Sequence, residues 1–183
     1  MDGFAGYYGQ TSLHPVGLAA VLLLASAVFI LSRRFALTPL IIAATTIPMS
    51  QRLIIAGADF TLLRILLFAY LLRFLFRGDA RNFVWNRVDT TVLLWTGTGT
   101  VIMTIHFGDI GAFINRLGWS YDILLTYFTA RILIKEWGDI TSIARFVTLL
   151  SIPIAGFFFF EWMTRYNLFS VFGGVPPVTS MRE

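Results

Sequence analysis

The side chains in this sequence that could do chemistry are mostly arginines, and several stand where a charge is expensive. Arg64 lies in the run Thr61-Leu62-Leu63-Arg64-Ile65-Leu66-Leu67, almost midway along an apolar stretch from Leu53 to Phe76. An ionisable group at the centre of a membrane helix costs at least about 2.5 kcal/mol, so a partner or a ligand is expected there. Asp59 is five residues away, about 140° round a helix, a poor position for pairing. Arg64 is therefore expected to face a bundle interior and to meet either an acidic side chain from another helix or an anionic ligand. Asp122 and Arg131 are nine residues apart, on opposite faces of one helix, and cannot satisfy each other. Asp122, close behind Ser120, reads as a stabiliser of a helix N-terminus. Arg131 reads as a cation snorkelling to the membrane surface. Glu161 and Arg165 form an i, i+4 pair in the favoured order, acid first.

The remaining candidates are weaker. Arg73, Arg77 and Arg81 recur on one helical face, which suits snorkelling and attraction to anionic headgroups, or more specifically the binding of a phosphate. His14 and His106 are the only histidines, too few and too far apart for a histidine metal site. His106 and Asp109 are near enough in sequence to share an ion or a proton. Gly97-Thr98-Gly99 lacks the preceding strand, the third glycine and the lysine of a phosphate loop. Thr96, Thr100 and Thr104 share a face and are expected to bond carbonyls one turn back or to admit a neighbouring helix. There is no cysteine, which removes thiolate metal sites, thiol nucleophiles and redox switches. No Ser-His-Asp arrangement is legible. No metal and no cofactor is expected.

The elements that must position these groups follow from composition. Hydrophobic residues make up 57% of the 183 and charged residues 13%, with a mean hydropathy of +0.76. A soluble domain carries about 25% charged residues, so this apolar excess calls for lipid. Six apolar segments can be delimited, near residues 16–32, 35–49, 53–76, 90–107, 120–137 and 145–162, against a requirement of about 20 residues per span. The second is short and carries Pro39 and Pro48, so it is tilted, kinked or re-entrant. The first resembles a signal peptide at Ala25-Ser26-Ala27, but no cation precedes it and Arg33-Arg34 follow, as in a retained span. The expected fold is an all-α polytopic membrane bundle of about six helices, a single multi-pass domain over 1–183.

Charge sets the orientation. If the loops alternate sides, nine of the fourteen cations fall on one side, four on the other, and Arg64 inside a helix. The positive-inside rule then places the richer side in the cytoplasm and both termini outside. Trp85, Trp119, Trp137 and Trp162 fall near expected helix ends, at headgroup level. The cations are spread between apolar runs rather than gathered on a soluble basic face, so nucleic acid is not an expected partner.

Beyond these readings, the chain resembles a known family. Ile47-Pro48, then Ile54-Ile55-Ala56-Gly57, then Leu63-Arg64-Ile65-Leu66 and a polar arginine-bearing loop are similar to the early helices of bacterial O-antigen ligases and polysaccharide polymerases. Glu161-Trp162-Met163-Thr164-Arg165-Tyr166-Asn167-Leu168-Phe169, then Gly173-Gly174 and Arg182, are similar to the stretch before that family's extracytoplasmic arginine- and glycine-rich segment. The resemblance implies a bacterial inner-membrane protein that acts on glycans carried by undecaprenyl diphosphate, without a metal. The family has ten or more spans and a large periplasmic loop, so these residues read as the N-terminal portion of a longer protein. Arginine's planar fork suits phosphate oxygens. Arg64, Arg165 and Arg182, at mid-depth or on the outer side, are accordingly the expected contacts to the lipid-linked diphosphate. Glu161 is their orienting partner or a candidate general base. Two readings compete: a non-enzymatic membrane scaffold in which Arg64 is locked in a helix-helix pair, and a small transporter in which Arg64 and Asp122 meet an anionic substrate.

Overall fold

A computed structural model describes residues 11, 13–55 and 58–178. The chain is mostly helical: α1 (Pro15–Ile30), α2 (Thr38–Thr46), α3 (Leu62–Arg77), α4 (Arg87–Phe107), α5 (Ile110–Leu133) and α6 (Trp137–Thr164), with short 3-10 turns at Arg33–Phe35 and Leu168–Phe172. Between α2 and α3 lies an antiparallel hairpin of β1 (Arg52–Ile55) and β2 (Ala58–Thr61), pairing Arg52 with Thr61 and Ile54 with Asp59.

Local chemistry accounts for the boundaries. Pro15 opens α1, where its missing N–H is not needed. Ile47 is extended before Pro48, whose ring disfavours helical backbone in the preceding residue, so α2 stops after nine residues. The Thr61 side chain accepts the Arg64 N–H and caps α3, and Gly78 closes that helix in the left-handed region at φ 68°. Asn86 and Asp89 form a reciprocal capping box on α4; Glu136 and Asp139 do the same on α6. Gly108 ends α4 at φ 63°.

These boundaries correct the expectation of six spans. Among the described residues two helices, α4 and α6, are long and apolar enough to cross a membrane. α2 rises only about 14 Å, half a hydrocarbon core. The third apolar segment is not one helix, because its first residues form the hairpin. The fifth helix starts ten residues earlier than expected, at Ile110 rather than Ser120.

The helices alternate in direction. Hydrogen bonds and ion pairs gather the C-terminal ends of α1, α3 and α5 with the starts of α2, α4 and α6 at one end, termed the basic end. α1, α2 and α3 enclose the apolar core, including Val21, Val28, Leu40, Leu66, Leu67 and Tyr70. The Tyr70 hydroxyl donates to the Ala36 carbonyl at 2.6 Å and accepts the Leu40 N–H, fixing α3 to α2. α5 packs on α3 and β2, and α4 packs along α5. α6 makes its main contacts with α2 and the Arg33–Phe35 turn.

Burial on the long helices is inverted relative to a water-soluble protein. The buried residues of α4 are Asp89, Thr96 and Thr100, and the buried residue of α6 is Asp139. Ile102, Ile105, Leu149, Ile152, Phe158 and Trp162 on the same helices are exposed.

Candidate functional site

Arg52, Asp59, Arg64 and Asp122, away from the basic end, meet where the hairpin, the start of α3 and the middle of α5 come together. The cap at Thr61 places Arg64 in the first turn of α3 and aims its side chain across at α5. There it grips Asp122 with two arms of the guanidinium. Nε donates to Oδ1 at 2.9 Å and to Oδ2 at 3.1 Å, and Nη2 donates to Oδ2 at 2.8 Å. Nη1 donates to the Asp59 carbonyl of β2. The Tyr121 hydroxyl donates to the Arg64 carbonyl at 3.2 Å. Room for the guanidinium comes from Gly118, one turn before Asp122. A Cβ there would stand 2.7 to 2.8 Å from three guanidinium atoms, so the guanidinium would have to move. A second pair, Arg52 to Asp59 at 3.5 Å, closes the hairpin beside the first.

This arrangement revises the sequence reading in three respects. Arg64 is not midway along a helix, because the hairpin replaces the turns expected before it. Asp122 is not an N-terminal stabiliser, because α5 begins twelve residues earlier, at Ile110. The partner of Arg64 is Asp122 itself. Sequence reasoning also missed Gly118 and Tyr121. A glycine one turn before an acid in an apolar stretch is the signal that could have found Gly118, since it leaves a guanidinium-sized gap on the same face.

The electrostatics follow from the count of charges. Two arginines face two aspartates, so the cluster is neutral as it stands, and an arriving anion would have to displace Asp122 from Arg64. The guanidinium is the better-covered partner: the Arg64 side chain is 15% exposed and that of Asp122 32%. Bidentate pairing in such surroundings is strong and directional. Among the described residues no three His, Asp or Glu side chains come together as metal ligands.

The other expected contacts lie elsewhere. Glu161 is in the last turn of α6, and Arg165 follows the helix in the left-handed region at φ 63°, its N–H donating to the Glu161 carbonyl at 2.7 Å. Arg182 lies outside the described residues. Arg64 is thus carried by the α3–α5 contact, and Glu161 with Arg165 by the end of α6.

At the basic end Arg33, Arg73 and Arg77 act on helix termini. Arg73 is fully buried, pairs with Asp79 at 2.7 Å, and donates to the Val28 and Leu31 carbonyls at the end of α1. Arg77 donates to the Phe29 and Leu31 carbonyls. Arg33 donates to the Leu133 carbonyl that ends α5 and to Asp139 at 2.8 Å. The last carbonyls of a helix have no partner within it, and these guanidiniums supply one. Headgroup attraction, the expectation for Arg73 and Arg77, is not what the Arg73 side chain does. On α4, the Thr96 hydroxyl bonds the Val92 carbonyl, and Thr100 meets Ser120 of α5 at 2.7 Å, so the threonine face serves the α4–α5 seam. No protein-family model, curated protein or solved structure matches the chain.

Proposed function

We propose that the chain is a multi-pass integral membrane domain with its basic end in the cytoplasm and both termini outside, the membrane portion of a polysaccharide polymerase or O-antigen ligase type of glycosyl transfer system. The observation that carries the membrane reading is the inverted burial of α4 and α6. Lipid is the solvent in which a helix gains by hiding threonine and aspartate and exposing isoleucine and phenylalanine. The gathering of Arg33, Arg73, Arg77, Arg131 and Lys135 at the basic end supports the orientation.

Glycan transfer rests on the resemblance in the sequence, and the position of Arg64 supports it. Arg64 lies about 20 Å along α3 from Arg77 at the basic end, in the outer half of a core about 30 Å thick. A diphosphate presented from the outer leaflet would be met there and would compete with Asp122 for the guanidinium. The complete pairing of Arg64 favours a second reading, in which the pair is purely structural and the chain is a scaffold. One experiment separates the two. Arg64→Gln and the reversal Arg64→Asp with Asp122→Arg are introduced in the native gene, and surface glycan and protein level are both measured. Glycan transfer through Arg64 predicts that the reversal restores protein level but not glycan. A structural pair predicts that both return together.

A further inference from the structure

Arg34 and Arg145 are set apart from the other basic-end cations by what surrounds them. Their neighbour Arg33 is consumed by Asp139 and the Leu133 carbonyl. Arg34 is exposed and has no carboxylate within ion-pair distance among the described residues. Its Nε donates to the Ser142 hydroxyl on α6 at 2.7 Å, which holds the guanidinium in the angle between the Arg33–Phe35 turn and α6. Its guanidinium lies over the Phe35 ring, 5.9 Å from the centroid, and its two terminal amino groups make no hydrogen bond among the described residues. Arg145 follows Ser142 by three residues, on the same helical face, and is likewise exposed, with no carboxylate partner among the described residues. That face continues at the same spacing through Leu149 and Ile152, which are 66% and 67% exposed. No charged residue occurs between Arg145 and Glu161. One stripe of α6 thus has a doubly cationic, hydroxyl-bearing foot at the basic end and an apolar length above it. The adjoining end of α1 adds Ile30, 79% exposed.

We propose that this stripe is a binding site for one anionic phospholipid, its phosphate held by Arg34 and Arg145, with the Ser142 hydroxyl, which donates to the Gly138 carbonyl, positioning the Arg34 guanidinium, and its acyl chains lying along Leu149 and Ile152. Two features single out an anionic headgroup. Two guanidiniums without acidic partners leave a zwitterionic phosphate's own cation nothing to face. Arginine's fork binds phosphate oxygens in pairs, and basic angles between helices on the cytoplasmic side suit such lipids. The lipid also supplies contacts that α6 otherwise lacks along most of its length, which makes the site a clamp for that helix.

The inference rests on the membrane reading, and the test distinguishes their failures. The chain is purified in detergent and reconstituted into nanodiscs of phosphatidylcholine with a small fraction of phosphatidylglycerol, and retained lipid is read by native mass spectrometry. The wild type should retain one phosphatidylglycerol in preference to phosphatidylcholine. Arg34→Gln with Arg145→Gln should weaken that retention about 30-fold, from roughly fivefold per arginine near a membrane surface. Arg81→Gln with Arg87→Gln, two exposed arginines at the same end, should leave it within about twofold. Equal losses in the two double variants would mean general surface attraction and overturn the site. So would a wild type that inserts but retains no phosphatidylglycerol selectively, a result independent of any variant's folding. A chain that stays soluble without detergent would overturn the membrane reading and the site together.

Discussion

Replacing Asp122 by Asn keeps the shape of the side chain and removes the charge opposite Arg64. Arg64 remains held by its cap and by the Asp59 carbonyl, so it cannot easily withdraw to water. Breaking one partner of a fully buried pair costs about 3 to 5 kcal/mol. With the two side chains 15% and 32% exposed, solvent screens part of this, and about 2 kcal/mol is expected. Arg64→Gln should cost a similar amount, and the double variant little more than either. The coupling energy from the cycle should be about 1.5 kcal/mol or above. Gly118→Ala supplies an independent arm, because its Cβ would drive the guanidinium off Asp122 and should cost less in the Asp122→Asn background than in the wild type. The assay is reversible unfolding in mixed micelles by titration with a denaturing detergent, followed by circular dichroism. Additive single variants, with a coupling below about 0.5 kcal/mol, would refute the claim that Arg64 and Asp122 form one unit.

Further outcomes follow from other contacts. Arg73→Met should destabilise the bundle by about 3 kcal/mol, because it strands Asp79 and removes the guanidinium that bonds the Val28 carbonyl of α1. Arg77→Ala, whose bonds are exposed, should cost less than about 1 kcal/mol in the same titration. Gly174→Ala should loosen the segment after α6, since Gly174 has φ 82° and a Cβ there would meet the Ser50 hydroxyl. Faster limited proteolysis near Phe172 would show it, and an unchanged rate would contradict it. Thr61→Ala removes the cap of α3 and should cost about 1 kcal/mol, with the loss of helix confined to the first turn in amide exchange.

What could be read from the sequence was the presence of apolar segments and their polar joints; what could not was where backbone geometry changes inside them. Leu53, Ile54 and Ile55 are as apolar as the helix that follows, so hydropathy ran the third segment straight through a hairpin. That error moved Arg64 from the first turn of α3 to an imagined mid-helix. The opposite happened at α5, where Asn115, Arg116 and Gly118 read as a polar joint although helix continues through them. Arg64 and Asp122 were each recognisable as charges needing partners. Their mutual pairing spans 58 residues, and no local pattern reports such a distance. Arg73 looked like a surface cation because its i, i+4 repeat with Arg77 suits one; only the packing of α3 beside α1 turns it inward, onto carbonyls whose need for donors no sequence displays. The glycine and proline punctuation was more transparent, since Pro48 and Gly108 stop helices for reasons contained in the residues themselves.

The central claim is that lipid surrounds these helices, with the basic end inside the cell. The absence of cysteine gives a clean background for testing it. Single variants Arg81→Cys and Lys135→Cys at the basic end, and Asp109→Cys and Tyr166→Cys at the other, would be exposed to a membrane-impermeant maleimide on intact cells and again after permeabilisation. The account predicts labelling of positions 109 and 166 on intact cells, and of 81 and 135 only after permeabilisation. Labelling of all four positions alike on intact cells, or the reverse pattern, would contradict it.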